Sequence, residues 1–210
     1  MLRKAPKQAR SEQMIDCILA GATRVLNTVP LAQTTTNRIA EVAGVSIGSL
    51  YQYFDGKDAI AAALLRRHLD ETVELLRDTR IASRGCSAKV RLRLPFVEIL
   101  RDHCDARMLH LNLIRVAETA QPSGELQQCI ARMVDEIALA LADECPEAGE
   151  DAVRLTATLQ HRSATLLAHA AVNTPGLARD GVILDHFDAL SAANLKALRG
   201  PRHARRHLHA

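Results

Sequence analysis

Three of the chain's five aromatic residues, Tyr51, Tyr53 and Phe54, fall within four positions of one another. Around them stand the hydroxyls of Thr35, Thr36, Ser46 and Ser49, the amides of Asn37 and Gln52, the guanidinium of Arg38 and the ammonium of Lys57. Phenols, hydroxyls and cationic groups donate to phosphate oxygens, whereas amides and small apolar groups reach base edges, so the chemistry on offer is recognition of duplex DNA. Tyr51 and Tyr53 are two apart on an expected helix and cannot both point inward, which leaves at least one phenol for a phosphate. Thr35 or Thr36, Ser46 and Lys57 each stand at an expected helix start, where free amides and the helix dipole favour an anion. Gly48 and Ser49 are small enough to let a helix approach closely, and Ile47, Ser49 and Gln52 would read the major groove. Arg38 offers a further phosphate contact.

Those groups need a scaffold, and apolar periodicity supplies helices for it. Ile15, Ile18, Leu19, Ala22, Val25 and Leu26 predict a first helix over 11–28, with Ser11 as N-cap and Pro30 just past its end. Thr35 or Thr36 opens a short second helix that turns Ile39, Ala40 and Ala43 inward, and Gly44 ends it in the left-handed conformation. Ser46 caps a third helix, 46–53, whose Leu50 and Phe54 face the core. A fourth helix over 57–81 carries Ile60, Leu64, Leu65, Leu69, Val73 and Leu76 along one stripe. Two short helices about a glycine turn make a helix-turn-helix. Further helices are expected at 87–103, 105–119, 123–144, 150–173 and 180–198, with breaks at Gln121-Pro122, Pro146 and Pro175-Gly176.

The residues Thr35, Ile39, Ala40, Ala43, Gly44, Val45, Ser46, Gly48, Leu50, Tyr51, Tyr53, Phe54 and Lys57, in this order behind a first helix, resemble the TetR family of bacterial repressors. The resemblance covers about a quarter of the chain. It implies a ligand-responsive homodimeric repressor that binds an operator in double-stranded DNA. Asn37 departs from the arginine that the family often has there.

Composition agrees with helices. Aromatics are 2% of the 210 residues, there is no Trp, and Ala and Leu are abundant, which disfavours sheets. The expected fold is all-α: a three-helix helix-turn-helix domain over 1–57 with its motif at 35–54, a helical effector-binding and dimerisation domain over 58–198, and a disordered basic tail over 199–210. Residues 1–57 hold seven basic and four acidic groups, whereas 58–195 hold fifteen and twenty, so a basic head sits on an acidic body. No apolar run approaches the ~20 residues that span a bilayer, and the first ten residues lack a signal peptide's apolar core. A cytoplasmic protein with no membrane partner is expected.

In the body, the resemblance implies dimerisation through the last two helices and a small-molecule pocket among the middle ones. Beyond residue 54 the aromatics are Phe96 and Phe187, so an aliphatic or acidic effector fits better than an aromatic-stacking one. The candidate polar liners are His103, Arg107, His110, Asn112, Arg115, His161, Thr165 and His169, and the fourth helix, spanning both domains, is the expected lever. The five cysteines form no Cys-x-x-Cys pair and read mostly as small buried apolar residues, with Cys104, beside His103, Asp105 and Arg107, the one candidate redox thiol. His103 with Cys104, or His203 with His207, match no known metal-ligand spacing, so neither metal nor cofactor is expected. Two other classes compete. Gly44-Val45-Ser46-Ile47-Gly48 fits the G-x-S-x-G elbow of α/β hydrolases, although the preceding residues read as helix rather than strand. A helical protein-interaction module is the other alternative.

Overall fold

The structure is a computed structural model that describes residues 9–119, 124–174, 176–177 and 181–200. Helices α1 (Ala9–Leu26), α2 (Thr36–Ala43), α3 (Ile47–Tyr53) and α4 (Lys57–Ala82) build the head, with a 3-10 turn at Leu31–Gln33 between α1 and α2. Helices α5 (Ala88–Asp105), α6 (Arg107–Thr119), α7 (Gly124–Ala142), α8 (Glu150–Asn173) and α9 (Val182–Arg199) complete the body. No strand occurs among the described residues, and no helix there is long and apolar enough to cross a membrane. The expected tail lies outside the described residues beyond Gly200, and within it Arg199 still belongs to α9.

The caps of the helix-turn-helix follow from single residues. Thr35 stays extended and its hydroxyl accepts the Arg38 N–H at 3.2 Å, starting α2. Gly44 closes α2 at φ 69°, a conformation that costs a side-chain-bearing residue about 1 kcal/mol or more. Ser46 then caps α3 by accepting the Ser49 N–H at 3.0 Å. The first helix departs from expectation at both ends. It begins at Ala9, so Ser11 lies inside it and is no N-cap, and it stops at Leu26 because the N–H and hydroxyl of Thr28 both bond back to the Val25 carbonyl.

Two apolar cores result among the described residues. The first joins Ile18, Leu26, Ile39, Leu50, Phe54 and Ile60, all fully buried, and takes in Leu113 from α6. It extends along α4 to Leu65, beyond residue 57. Gly21 lets α1 lie directly on α2, since a Cβ built there would stand 2.6 Å from the Ala43 Cβ. The second core gathers Leu92, Ile137, Leu141, Val153 and Ile183 around Phe96 and Phe187, whose rings stack at 3.9 Å. The buried carboxylate of Glu136 on α7 accepts from Arg77 and Arg80, which fastens the distal half of α4 to the body. Of the cysteines, Cys129 and Cys145 are buried, whereas Cys17 and Cys86 are exposed and Cys104 is half-buried, so the expectation of mostly buried thiols is corrected.

Candidate nucleic-acid interface and ligand cavity

Helix α3 divides cleanly between its two faces. Leu50 and the following Phe54 are fully buried, while Ser46, Ile47, Gly48, Tyr51 and Gln52 are exposed and Ser49 is half-exposed. A seven-residue helix therefore lays its apolar side on the head's core and turns its hydrogen-bonding side outward. The Tyr51 phenol lies 3.0 Å from the Thr36 hydroxyl, joining the start of α2 to the middle of α3 in one hydroxyl pair on the surface. The hydroxyls of Ser46 and Ser49 pair likewise at 2.8 Å. Asn37 and Arg38 are exposed on α2, and Arg38 forms a solvent-facing ion pair with Glu41 at 2.8 Å.

Two expected phosphate anchors have other partners. The Lys57 ammonium donates to the carbonyls of Leu31, Ala32 and Thr34 at 2.9 to 3.1 Å, using its three N–H groups to hold the 3-10 turn against α4. Tyr53 packs against the first core, and its phenol reaches the Ser11 hydroxyl at 3.5 Å. Both side chains shape the head in this conformation, and Tyr51 is the phenol left at the surface. The Ser46 environment also excludes the hydrolase elbow: the residues before it are α2 and its cap, not a strand, and its hydroxyl is engaged with Ser49.

In the body, α4, α5, α6, α7 and α8 enclose a cavity of about 390 Å³. Its walls are mainly aliphatic, including Leu65, Leu69, Ile99, Leu113, Ile130 and Met133. Five expected polar liners border it: His103, His110, His161, Thr165 and His169. Three do not. Arg107 donates from Nε to the Val172 carbonyl at 2.7 Å, tying α6 to α8. Arg115 is exposed on α6 outside the wall. Asn112 is fully buried and points at the head: its Oδ1 accepts the Leu31 N–H, and its Nδ2 donates to the carbonyls of Leu26 and Val29.

His68 of α4, which sequence reasoning missed, stands in the wall beside His103 and His110. The available signal was an imidazole set within the apolar stripe of Leu65, Leu69 and Val73. The His103 and His110 rings stack at 3.9 Å, and His68 meets His110 edge-on at 4.8 Å. Burial, then the neighbouring His68, pushes His103 down to about 4, and burial, then His103, pushes His110 down to about 3. Burial also lowers His68, His161 and His169, against a weaker opposing pull from Asp102 on His68 and from Glu118 on His169. Neutral imidazoles thus line the wall at neutral pH. Asp102 Oδ2 lies 3.0 Å from His110 Nε2 but off the line of a hydrogen bond, leaving that nitrogen, like His103 Nδ1, without a well-formed hydrogen bond among the described residues, although the Ile99 backbone weakly opposes the lowering of His103. Cys104 is no thiolate candidate, because burial and then Asp105 raise its pKa.

Residues 18–64 match the family model described as "Bacterial regulatory proteins, tetR family". No curated protein matches the chain. Among solved structures, a TetR-family transcriptional regulator from Streptomyces coelicolor aligns with TM-score 0.68 and 20% identity over 90% of this chain and 99% of that one. The fatty acid degradation regulator FadR from Bacillus halodurans aligns with TM-score 0.59 and 16% identity over 95% and 100%. SmeT in complex with triclosan aligns with TM-score 0.61 and 22% identity over 86% and 91%. At these identities the likeness is one of fold, and it runs through both the head and the body.

Proposed function

The chain carries the DNA-binding domain of the TetR family of bacterial regulators, and from that premise we propose a homodimeric repressor that a small molecule in the body's cavity releases from its operator. The observation that carries the reading is the outward face of α3, where Ile47, Gly48, Tyr51 and Gln52 are exposed on a helix whose other side is fully buried. Gly48 and Ser49 permit close approach, Gln52, Ile47 and Asn37 read base edges, and the Thr36–Tyr51 hydroxyl pair, with Thr35 and Arg38, binds backbone phosphates.

Dimerisation rests on α8 and α9. They are joined by a buried polar link in which Gln160 donates to Ser191 and accepts from Asn194. Their outer surface exposes Leu155, Leu159, Leu166 and Leu190, an apolar set that a second copy would cover. Two heads then address half-sites about 34–36 Å apart on one side of the duplex.

The coupling runs through α6. His110, Leu113, Ile114 and Ala117 face the cavity from this helix, and Asn112 on the same helix holds the end of α1. An effector that repositions α6 therefore moves the head, and it acts as inducer only by binding the released arrangement more tightly. The aliphatic wall with a polar histidine side suits a ligand with an apolar body and an acidic or polar end. That fits the class suggested by the names of the fatty acid regulator and the triclosan complex.

Duplex affinity against salt and candidate ligands tests this reading. Affinity should fall steeply with salt through counterion release and fall again when a cavity ligand is added. Salt-insensitive duplex binding, or operator affinity indifferent to every molecule that binds the cavity, would overturn it.

A further inference from the structure

The cavity wall brings together three imidazoles from three helices: His68 of α4, His103 of α5 and His110 of α6. One ring nitrogen from each lies within 4.8 Å of the others. In sequence they are 35 and 7 residues apart, so spacing alone could not reveal the set. We propose that His68, His103 and His110 form a binding site for a divalent transition-metal ion at the cavity wall, with the remaining coordination position open to a cavity ligand.

Three observations support it. His103 and His110 are buried, and each has a ring nitrogen that makes no well-formed hydrogen bond among the described residues, a costly arrangement that a metal bond would relieve. The three rings crowd together, with His103 and His110 stacked and His68 closing the third side at 4.8 and 5.3 Å. Asp102 Oδ2 stands 3.0 Å from the same nitrogen, His110 Nε2, and adds a negative charge beside the three rings that favours a cation there.

The donor set chooses the metal class. Three nitrogen ligands suit Zn²⁺, Co²⁺, Ni²⁺ or Cu²⁺ and are poor for Mg²⁺ or Ca²⁺, which prefer oxygen. Bonds of about 2.0–2.1 Å place tetrahedral nitrogens roughly 3.3 Å apart, so nitrogens now within 4.8 Å of one another must close by up to about 1.5 Å. The fourth position then faces a cavity bounded by Leu65, Leu69 and Leu113, where an anionic or thiolate end of an apolar molecule can complete the shell. This deepens the effector-cavity reading, and its test needs no DNA.

The test is titration of the full chain with Co²⁺, followed by visible absorption and then by Zn²⁺ displacement. The tail histidines His203, His207 and His209 are replaced by Gln throughout, so that they cannot contribute. One Co²⁺ per chain should give ligand-field bands that Zn²⁺ abolishes. His68→Gln, His103→Gln and His110→Gln should each weaken binding at least ten-fold, while the exposed His186→Gln leaves it unchanged. Far-ultraviolet circular dichroism checks that each variant folds; if His103→Gln or His110→Gln does not, the half-buried His68→Gln decides alone. Absence of a stoichiometric Co²⁺ complex, or a complex of undiminished affinity in folded His68→Gln, would overturn the proposal. Neither result bears on operator binding, which is measured separately.

Discussion

The backbone N–H of Leu31 is held by Asn112, 81 positions later in the chain, at 2.8 Å. The carbonyl of the same residue accepts from Lys57, so the 3-10 turn behind α1 is gripped from the body on one side and from α4 on the other. The Asn112 amide further donates to Leu26 and Val29, so one buried side chain satisfies three backbone groups at the head's edge. Asn112→Leu should orphan all three, each at about 1–3 kcal/mol, with partial relief from water. Urea denaturation should show a loss of roughly 2–4 kcal/mol. Where the variant still folds, a cavity ligand should shift its operator affinity less than in the parent. An unchanged ligand response would remove α6 from the coupling path.

Lys57 separates a positioning role from a phosphate role. Its ammonium is committed to three carbonyls, so Lys57→Ala should lower thermal stability while leaving the slope of log affinity against log salt nearly unchanged. Tyr51→Phe, by contrast, removes an exposed hydroxyl and should weaken binding to all duplexes alike, with little change in stability. A salt slope reduced by about one unit in Lys57→Ala would restore the phosphate role.

The contact between Gly21 and Ala43 gives a prediction that can be tested by its reversal. Gly21→Ala places a methyl 2.6 Å from the Ala43 Cβ and 2.8 Å from its backbone, so α1 and α2 must separate. A loss of about 1–3 kcal/mol is expected in thermal or urea unfolding. Ala43→Gly in the same chain should recover part of it, and a purely additive pair would show that the contact is not the cause.

The two cores were unequally legible. Gly44 and Ser46 announce the turn because left-handed backbone and a capping hydroxyl are local demands that a few residues meet. The inward set of Ile39, Leu50 and Phe54 follows from helical period alone. The hold of Lys57 on the turn could not be foreseen, because its partners are carbonyls of a 3-10 turn that no periodicity marks. Arg107 and Asn112 were assigned to the cavity on polarity, yet Asn112 lies two positions past His110, a turn of about 200° that sends it to the opposite side of α6, and Arg107 is drawn to the Val172 carbonyl. His68 was hidden because a histidine in an apolar stripe gains its meaning only when α5 and α6 pack against it.

The histidine wall predicts a pH dependence for the metal-free protein. His103 and His110 titrate at about 4 and about 3 in the folded chain, against 6.5 when exposed. Above pH 6.5 both states are neutral and stability is intact. As pH falls through 6.5 the unfolded chain takes up protons that the folded chain refuses, and each histidine removes up to about 1.4 kcal/mol per pH unit until the folded pKa is reached. His68, His169, Asp102 and Glu118 face the same region and modulate the curve. The melting temperature, measured with chelator, should be flat above pH 7 and fall between 6.5 and 4.5. His103→Gln or His110→Gln should flatten that fall, and an unaltered slope in both would contradict the assignment.

Selection from a random duplex pool by the full-length protein, followed by sequencing, tests the reading of α3 most directly. The expected product is an inverted repeat with half-sites one helical turn apart, and Gln52→Ala should change the preferred base at a defined position in each half. Recovery of no sequence above background at moderate salt, or of a site whose base preferences ignore changes at Ile47, Ser49 and Gln52, would contradict it.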